Sequence, residues 1–268
     1  MENNIDEKVC VEENEKVWNQ STYDAWIERF GTPSEAIEKI HKLNESPSRT
    51  LETLFSKFGD VQGKKIMNLM GSNGTKAVAL ALRGAEVTVV DFSEENKKYA
   101  LELAEAGNIK IEYILSDVLK LFTEELIGKF DIVFAETGIL HYFSDLKPFV
   151  EVVKNLLSTD GIFVIRDFHP VSTKLITSRG TTAKIRKHKV TGDYFDTSLE
   201  EKDASFSKYS KDSQPKKVYL RKWNLGEIVT AVASEGLVIK SLDEEPHLTS
   251  EVFDKGIPKT FLLVATKQ

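Results

Sequence analysis

The sequence predicts a doubly wound α/β protein, a mainly parallel sheet with helices on both faces. Three observations carry this. Strand-like and helix-like segments alternate five times up to Phe168. The runs "VTVV", "DIVFA" and "IFVI" are apolar on both faces, as strands covered by helices must be. The chain closes with two strand-like runs that have no helix between them, so that pair should run antiparallel. Five parallel strands and the closing pair make a seven-stranded sheet, and right-handed crossovers put helices on both sides.

Each element has its own signal. Residues 1–15 are polar and acidic and are expected to fray. "VWNQSTYDAWIERFG" and "TPSEAIEKIHKL" read as two short helices, the first ended by Gly31. Trp18, Tyr23, Trp26 and Phe30 cluster there, either packing a helix onto the body or closing over a ligand. In "SRTLETLFSKFG", Leu51, Leu54, Phe55 and Phe58 share one helical face. Gly63 breaks to a first strand, "KKIMNLM", and "TKAVALALRG" is a helix stopped by Gly84. "EVTVVDF" is a β-branched strand. Ser93 can cap "EENKKYALELAEAG", whose Glu94 and Glu95 suit the positive end of the dipole. "IEYILSD", "FDIVFAE" and "GIFVIRDF" are strands three to five; "LFTEELIG" is a short helix or turn, and "DLKPFVEVVKNLL" a helix.

The pattern changes after Phe168. Residues 169–222 are polar, with "DYFD" and "KKVYLRKW" expected as strands or edges and "SLEEKDASFSKYSKDSQP" as loop or hairpin. Insertions this long in compact domains are functional lids or disordered. In "NLGEIVTAVASEG", Asn224 and Glu227 form a capping-box-like pair and Gly236 stops the helix. "LVIKSLDEE" and "KTFLLVATK" are the closing strands. The expected parts are an N-terminal helical cover (1–47), a core (48–168), an inserted lid (169–222) and the end of the core (223–268).

Composition narrows the function. With 268 residues and 41% hydrophobic content the chain can bury a sizeable core. A net charge of −6 gives no general attraction for nucleic acid. One cysteine, Cys10, excludes an intrachain disulfide framework and a multi-cysteine metal site, and no His/Cys/Asp cluster has metal spacing. The N-terminus lacks the apolar region of a signal peptide, and no run approaches the ~18 apolar residues of a membrane span. A cytoplasmic protein without a membrane partner is expected.

The chemistry concentrates in "IMNLMGSNGTKAVALALRGAEVTVVDF", residues 66–92. A helix N-terminus offers unpaired N–H groups, and a small-residue turn before it lets a ligand approach the backbone. Gly71, Ser72, Asn73 and Gly74 form that turn. Asp91, twenty residues after Gly71 at the end of the second strand, is placed to accept both hydroxyls of a ribose. Two cofactor classes compete. A dinucleotide usually takes G-x-G-x-x-G, and "GSNGTKA" lacks the middle glycine. S-adenosylmethionine (SAM) carries no phosphate. It needs an acid for the ribose, a polar group for the adenine amine and carbonyls near its amino-acid end. Asp117 in "LSDV" is placed for the adenine amine, and "AETGILHYF" lies where the methionyl portion would sit.

On these motifs the chain resembles class I SAM-dependent methyltransferases over roughly residues 50–168, and its closing helix and strand pair are similar to theirs. The resemblance implies a Rossmann-like fold, SAM as cofactor and S-adenosylhomocysteine as product. By position it implies cofactor binding by Asn68, Gly71 and Gly74 in the glycine motif, by Asp91 and Phe92 at ribose and adenine, by Asp117 and Val118 at the adenine edge, and by Glu136, Thr137 and Gly138 at the methionyl end. Ser72, Asn73 and Asn96 are taken with them, and Tyr23 as a contact from the N-terminal cover. Asn68 stands where the family usually has an acid, and Met70 where it has glycine. Asn keeps an acceptor but loses the charge that favours an ammonium.

Methyl transfer is an in-line displacement helped by positioning, with a base only where the acceptor must lose a proton. His141 and His169 are the candidate bases. Tyr142, His169, Tyr194 and Trp223 are candidate substrate contacts, with packing of the insertion as the alternative for the aromatic residues. The basic run "AKIRKHK" is a solvated face or a steering patch for an anion. The expected activity is methylation of a small-molecule O or N acceptor. A non-catalytic or regulatory SAM-binding protein is the alternative, and a nicotinamide-dependent oxidoreductase a more distant one.

Overall fold

A computed structural model describes residues 14–121, 124–179, 187–204, 217–250 and 252–268. Cys10, most of the acidic N-terminus and residues 183–186 of the basic run lie outside the described residues. Strands β1 (Lys65–Leu69), β2 (Glu86–Asp91), β3 (Glu112–Leu115), β4 (Phe130–Glu136) and β5 (Leu157–Phe168) are the five expected ones. Two two-stranded sheets follow, β6 (Ile176–Arg179) antiparallel to β7 (Lys187–Val190), and β8 (Leu199–Asp203) beside β9 (Lys217–Arg221). The closing pair is β10 (Val238–Glu245) and β11 (Thr260–Thr266). The seven-stranded sheet has the order β10-β11-β5-β4-β1-β2-β3. The helices are α1 (Thr22–Phe30), α2 (Pro33–Glu45), α3 (Arg49–Ser56), α4 (Thr75–Ala81), α5 (Glu94–Ala106), α6 (Lys147–Leu156) and α7 (Leu225–Ser234).

The chain divides into two compact units. The first comprises residues 1–46, 61–122 and 199–220. Here β1, β2 and β3 run parallel, with Asn68 opposite Val89 and Asp91 opposite Leu115. Ile66, Met67, Leu69, Val89, Val90, Tyr99 and Leu103 are fully buried, which is why these strands and α5 are apolar where they face inward. Ser93 caps α5 by accepting from Asn96 N, and Thr32 with Glu35 forms a capping box on α2. The first N-terminal helix is not continuous as expected. Residues 14–18 are helical, Ser21 turns left-handed at φ 63, and α1 restarts at Thr22. The polar run Asn19, Gln20, Ser21 explains the break, because such side chains compete with the helical ladder.

The second unit comprises residues 47–60, 123–198 and 221–268. Strands β4 and β5 are parallel, while β11 runs antiparallel to both β5 and β10, as the missing helix predicts. Phe134, Phe149, Phe163 and Phe261 form its core, with Phe58 of the segment after α3 packed 5.2 Å from Phe134. The described residues of the 169–222 segment hold more regular structure than its composition suggests. "DYFD", however, is a turn and not a strand. Asp193 Oδ1 accepts from Phe195 N at 2.8 Å and Asp196 Oδ1 from Ser198 N at 2.9 Å, so both acids close local turns. Lys174, 5% exposed, donates to the carbonyls of Lys222 and Asp196 and anchors this region; burial pulls its pKa down.

Candidate functional site

The turn after β1 is strained and closely packed. Met70 and Ser72 adopt φ 49 and 50, a region that costs roughly 1–2 kcal/mol for a residue with a side chain. The glycine usual at the Met70 position would avoid that cost. A side chain at Gly71 would place its Cβ 2.6 Å from both Asn68 Oδ1 and Val89 Cγ1. One at Gly74 would meet Ala100 Cβ at 2.6 Å, so this glycine lets the turn lie against α5. Asn73 closes a local turn ahead of α4, its Oδ1 accepting from Thr75 N and Oγ1 at 3.2 and 2.7 Å. The Tyr113 hydroxyl donates to Ser72 O at 2.8 Å and steadies the turn from β3, and burial raises its pKa. The sequence reading missed Tyr113, whose only signal was a polar tip inside a buried strand.

Asn68, the residue before the end of β1, is 3% exposed, and its Oδ1 is buried without a hydrogen-bond partner. Such an orphan acceptor costs about 1–3 kcal/mol and calls for a donor. Asp91, 7% exposed, accepts from Ser93 N (3.0 Å) and Asn96 Nδ2 (3.1 Å) at Oδ1, and from Ser72 N (3.0 Å) at Oδ2. Oδ1 thus holds two donors and Oδ2 one, leaving acceptor capacity on Oδ2. Burial raises the Asp91 pKa against the opposing effect of these donors. Asn96 is 1% exposed and reaches the ligand side only through Asp91. Asp117 Oδ1 accepts from Leu119 N at 3.0 Å and caps the short 3-10 turn Val118–Lys120, in which Val118 is buried. Its Oδ2 lies 3.5 Å from Lys120 Nζ. Phe92 is half-buried between Asp91 and Ser93.

Tyr23 is not brought to the turn. Its hydroxyl donates to Glu102 Oε2 at 2.5 Å and its ring packs 5.8 Å from Tyr99, on the flank of α5. Glu102 lies two turns beyond the end of α5 that adjoins Asp91, so the hydroxyl points away from the ribose acid. The Glu102 hydrogen bond pushes its pKa up to about 12.

In the second unit, Glu136 ends β4 with Oε1 3.6 Å from Arg166 Nη1. Arg166 also bonds Glu245 at 2.9 Å and Thr260 Oγ1 at 3.1 Å, all of them buried. Thr137 (φ 54) and Gly138 (φ 85) turn the chain back. Asp167, 4% exposed, holds this turn: Oδ1 accepts from Gly138 N (2.6 Å) and Phe168 N (2.7 Å), Oδ2 from Ile139 N (3.0 Å) and Leu140 N (2.9 Å). His141 follows, its ring 4.6 Å from Tyr142; burial lowers its pKa against the opposing Asp167 charge.

His169 corrects the sequence reading. It is 2% exposed, with Nε2 2.6 Å from Glu244 Oε1 and Nδ1 accepting from Val171 N at 3.1 Å. An Nδ1 that accepts is unprotonated, so Nε2 carries the proton and donates it to Glu244. Neither nitrogen can take a substrate proton, and the role is structural. His169→Ala is expected to destabilise the fold by about 2–3 kcal/mol in urea unfolding and to spare turnover of the folded fraction. A selective loss of turnover at full stability would restore the base. Trp223 Nε1 donates to Leu140 O at 2.9 Å beneath Arg221, and the Tyr194 hydroxyl accepts from Leu225 N at 3.1 Å. Tyr194 therefore ties the insertion to the start of α7 through its polar tip, and Trp223, just after the insertion, ties the chain to the turn that carries His141.

The arrangement of the first unit, an orphan acceptor, a tight turn and a buried acid at the carboxyl ends of adjacent parallel strands, defines a nucleoside-cofactor cradle. The chain belongs to the methyltransferase-domain family, whose model matches residues 60–213. It is 31% identical over 111 residues to the ubiquinone biosynthesis O-methyltransferase of Bordetella avium, covering 41% of this chain and 44% of that protein. It spans about half the length of the curated relatives it matches. Among solved structures it is similar to a SAM-dependent methyltransferase from Mesorhizobium loti, with TM-score 0.61 and 21% identity over 81% of this chain and 97% of that one. It is also similar to the magnesium protoporphyrin IX methyltransferase of Synechocystis with bound SAM, with TM-score 0.58 and 13% identity over the full length of both. At these identities the structural likeness is one of fold.

Proposed function

We propose that this chain is a SAM-dependent methyltransferase acting on a small-molecule O or N acceptor. The observation that carries the reading is the buried, unpartnered Asn68 Oδ1 in the unit that also holds Asp91. The two ask for donors, and SAM offers an ammonium and two ribose hydroxyls. Asn68, Gly71, Asp91, Asp117 and Val118 would hold it; its chemistry is an activated methyl on a sulfonium. Roles for Glu136, Thr137 and Gly138 at the methionyl end rest on the resemblance, and the N–H groups of Thr137 and Gly138 are already committed to Arg166 O and Asp167. A dinucleotide fits less well. Gly71 N, Ser72 N and Gly74 N bond Val90 O, Asp91 and Gly71 O within the fold, where a pyrophosphate would need such donors. The small-molecule acceptor is supported by the names of the curated relatives and by the net charge of −6. No helix among the described residues is long and apolar enough to cross a membrane.

Calorimetric titration with SAM, S-adenosylhomocysteine and NAD tests the cofactor; tight NAD binding without SAM binding would overturn the reading. A second reading, SAM binding without turnover, is favoured by Asn68 in place of the usual acid. Release of S-adenosylhomocysteine across hydroxyl and amine acceptors decides between the two.

With His169 committed elsewhere, His141 is the candidate base. A lowered pKa keeps its imidazole neutral below the ordinary value of 6.5. The acid limb of turnover should therefore fall below pH 6.5. Stability follows the matching sign: as pH drops through 6.5 the unfolded chain takes up this proton first, so the native state loses stability. His141→Ala is expected to lower turnover about 100-fold with cofactor affinity unchanged. Undiminished turnover in a direct assay removes the base.

A further inference from the structure

We propose that Trp26 and Asn96 are positioning residues for ribose recognition: the indole sets the Asn96 amide, and the amide sets the carboxylate of Asp91. The inference rests on the cofactor reading above and goes beyond it, since neither residue contacts the nucleoside itself. An indole N–H can only donate. Trp26 Nε1 donates to Asn96 Oδ1 at 2.8 Å, so the carbonyl end of that amide is fixed toward Trp26. The amino end is left for Asp91 Oδ1, at 3.1 Å. A flipped amide would lose the indole bond and set its carbonyl against a carboxylate. With Ser93 N also on Oδ1, that oxygen is filled, and Oδ2 is the one left to meet a hydroxyl.

The relay is tightly held. Asn96 and Trp26 are 1% and 5% exposed, so water does not compete for either bond. The segment carrying Trp26 is tied to the start of α5 by three further bonds. Ser93 Oγ donates to Trp18 O at 2.8 Å, Glu94 N to Asn19 Oδ1 at 2.8 Å, and Tyr23 N to Glu95 Oε2 at 2.8 Å. Packing alone would need the indole ring but not its N–H aimed at an amide that bonds the ribose acid.

Trp26→Phe keeps a buried ring and removes only the donor. The test is titration of wild type and variant with S-adenosylhomocysteine and with its 2′,3′-dideoxy analogue. Wild type is expected to prefer the hydroxylated ligand by about 10-fold or more, the scale of a hydrogen bond to a charged group. In Trp26→Phe the preference should shrink to within about twofold, the dideoxy affinity staying near that of wild type. Asn96→Ala removes the relay from its other end and should give the same loss, which keeps the proposal testable if one variant folds poorly. A merely structural role would weaken both ligands together and keep the preference, and that result overturns the proposal. Equal binding of both ligands by wild type overturns it too while leaving the cofactor reading standing. If wild type binds neither, the cofactor reading itself fails and the positioning role falls with it.

Discussion

Asp91→Ala is expected to weaken S-adenosylhomocysteine binding at least about 10-fold. The ribose hydroxyl that Asp91 Oδ2 has room to accept contributes roughly 1.5–3 kcal/mol when bonded to a carboxylate, and the variant leaves no acceptor in its place. The fold should suffer as well. Ser72 N, Ser93 N and Asn96 Nδ2 lose their common partner at a site only 7% exposed, a cost of roughly 3 kcal/mol after partial rescue by water. The pH dependence separates the two effects. Burial raises the Asp91 pKa, so its contribution to stability is fully present below the unfolded value of 3.8 and is lost as pH rises through the native value. Urea unfolding at a series of pH values should show this limb in wild type and not in Asp91→Ala. Burial thus disfavours the charged form of this acid, an expense in stability of the kind binding sites tend to carry. Calorimetry on the folded variant checks the binding: affinity unchanged would mean that the nucleoside does not use Asp91.

What the sequence disclosed and what it hid divide along the range of the interactions. Ser93 and Asn224 as caps, Gly84 and Gly236 as stops and Asp91 as the acid ending β2 are decided within a few residues, and all stand where the local pattern puts them. The antiparallel closing pair follows from a missing helix, again a local fact. His169 was misread because its place after the fifth strand is local, whereas its partner Glu244 is 75 residues away. Tyr23 failed for the same reason: an aromatic residue on a covering helix can face the cleft or the helix beneath it, and Glu102 decides. "DYFD" looked like a strand from its aromatic pair, but its two acids outweigh that signal by closing turns onto Phe195 and Ser198. Asp167 and Arg166 were overlooked altogether. Their one signal was a pair of opposite charges inside the otherwise apolar run "IFVIRDF", and buried charges are rare unless they are paired.

Asp167→Ala should be the most destabilising single change in the second unit, by about 4 kcal/mol or more. One carboxylate accepts from four backbone N–H groups, those of Gly138, Ile139, Leu140 and Phe168, at 4% exposure. Each orphaned donor costs about 1–3 kcal/mol, and non-additivity brings the total below their sum. Against a typical total stability of 5–15 kcal/mol this is a large fraction, and at roughly 2–4 °C per kcal/mol it lowers the melting temperature by about 10 °C. Asp167→Asn should not rescue it, because an amide turns one of the two acceptor oxygens into a donor facing other donors. The consequence reaches function through geometry. The same four bonds hold the turn that presents His141, and the Leu140 carbonyl in that turn receives Trp223 Nε1. Hydrogen exchange should therefore report loss of protection at residues 138–140 before the rest of β4 and β5 opens. A loss of stability below about 1 kcal/mol, with those amides still protected, would mean that the turn is held by something other than Asp167.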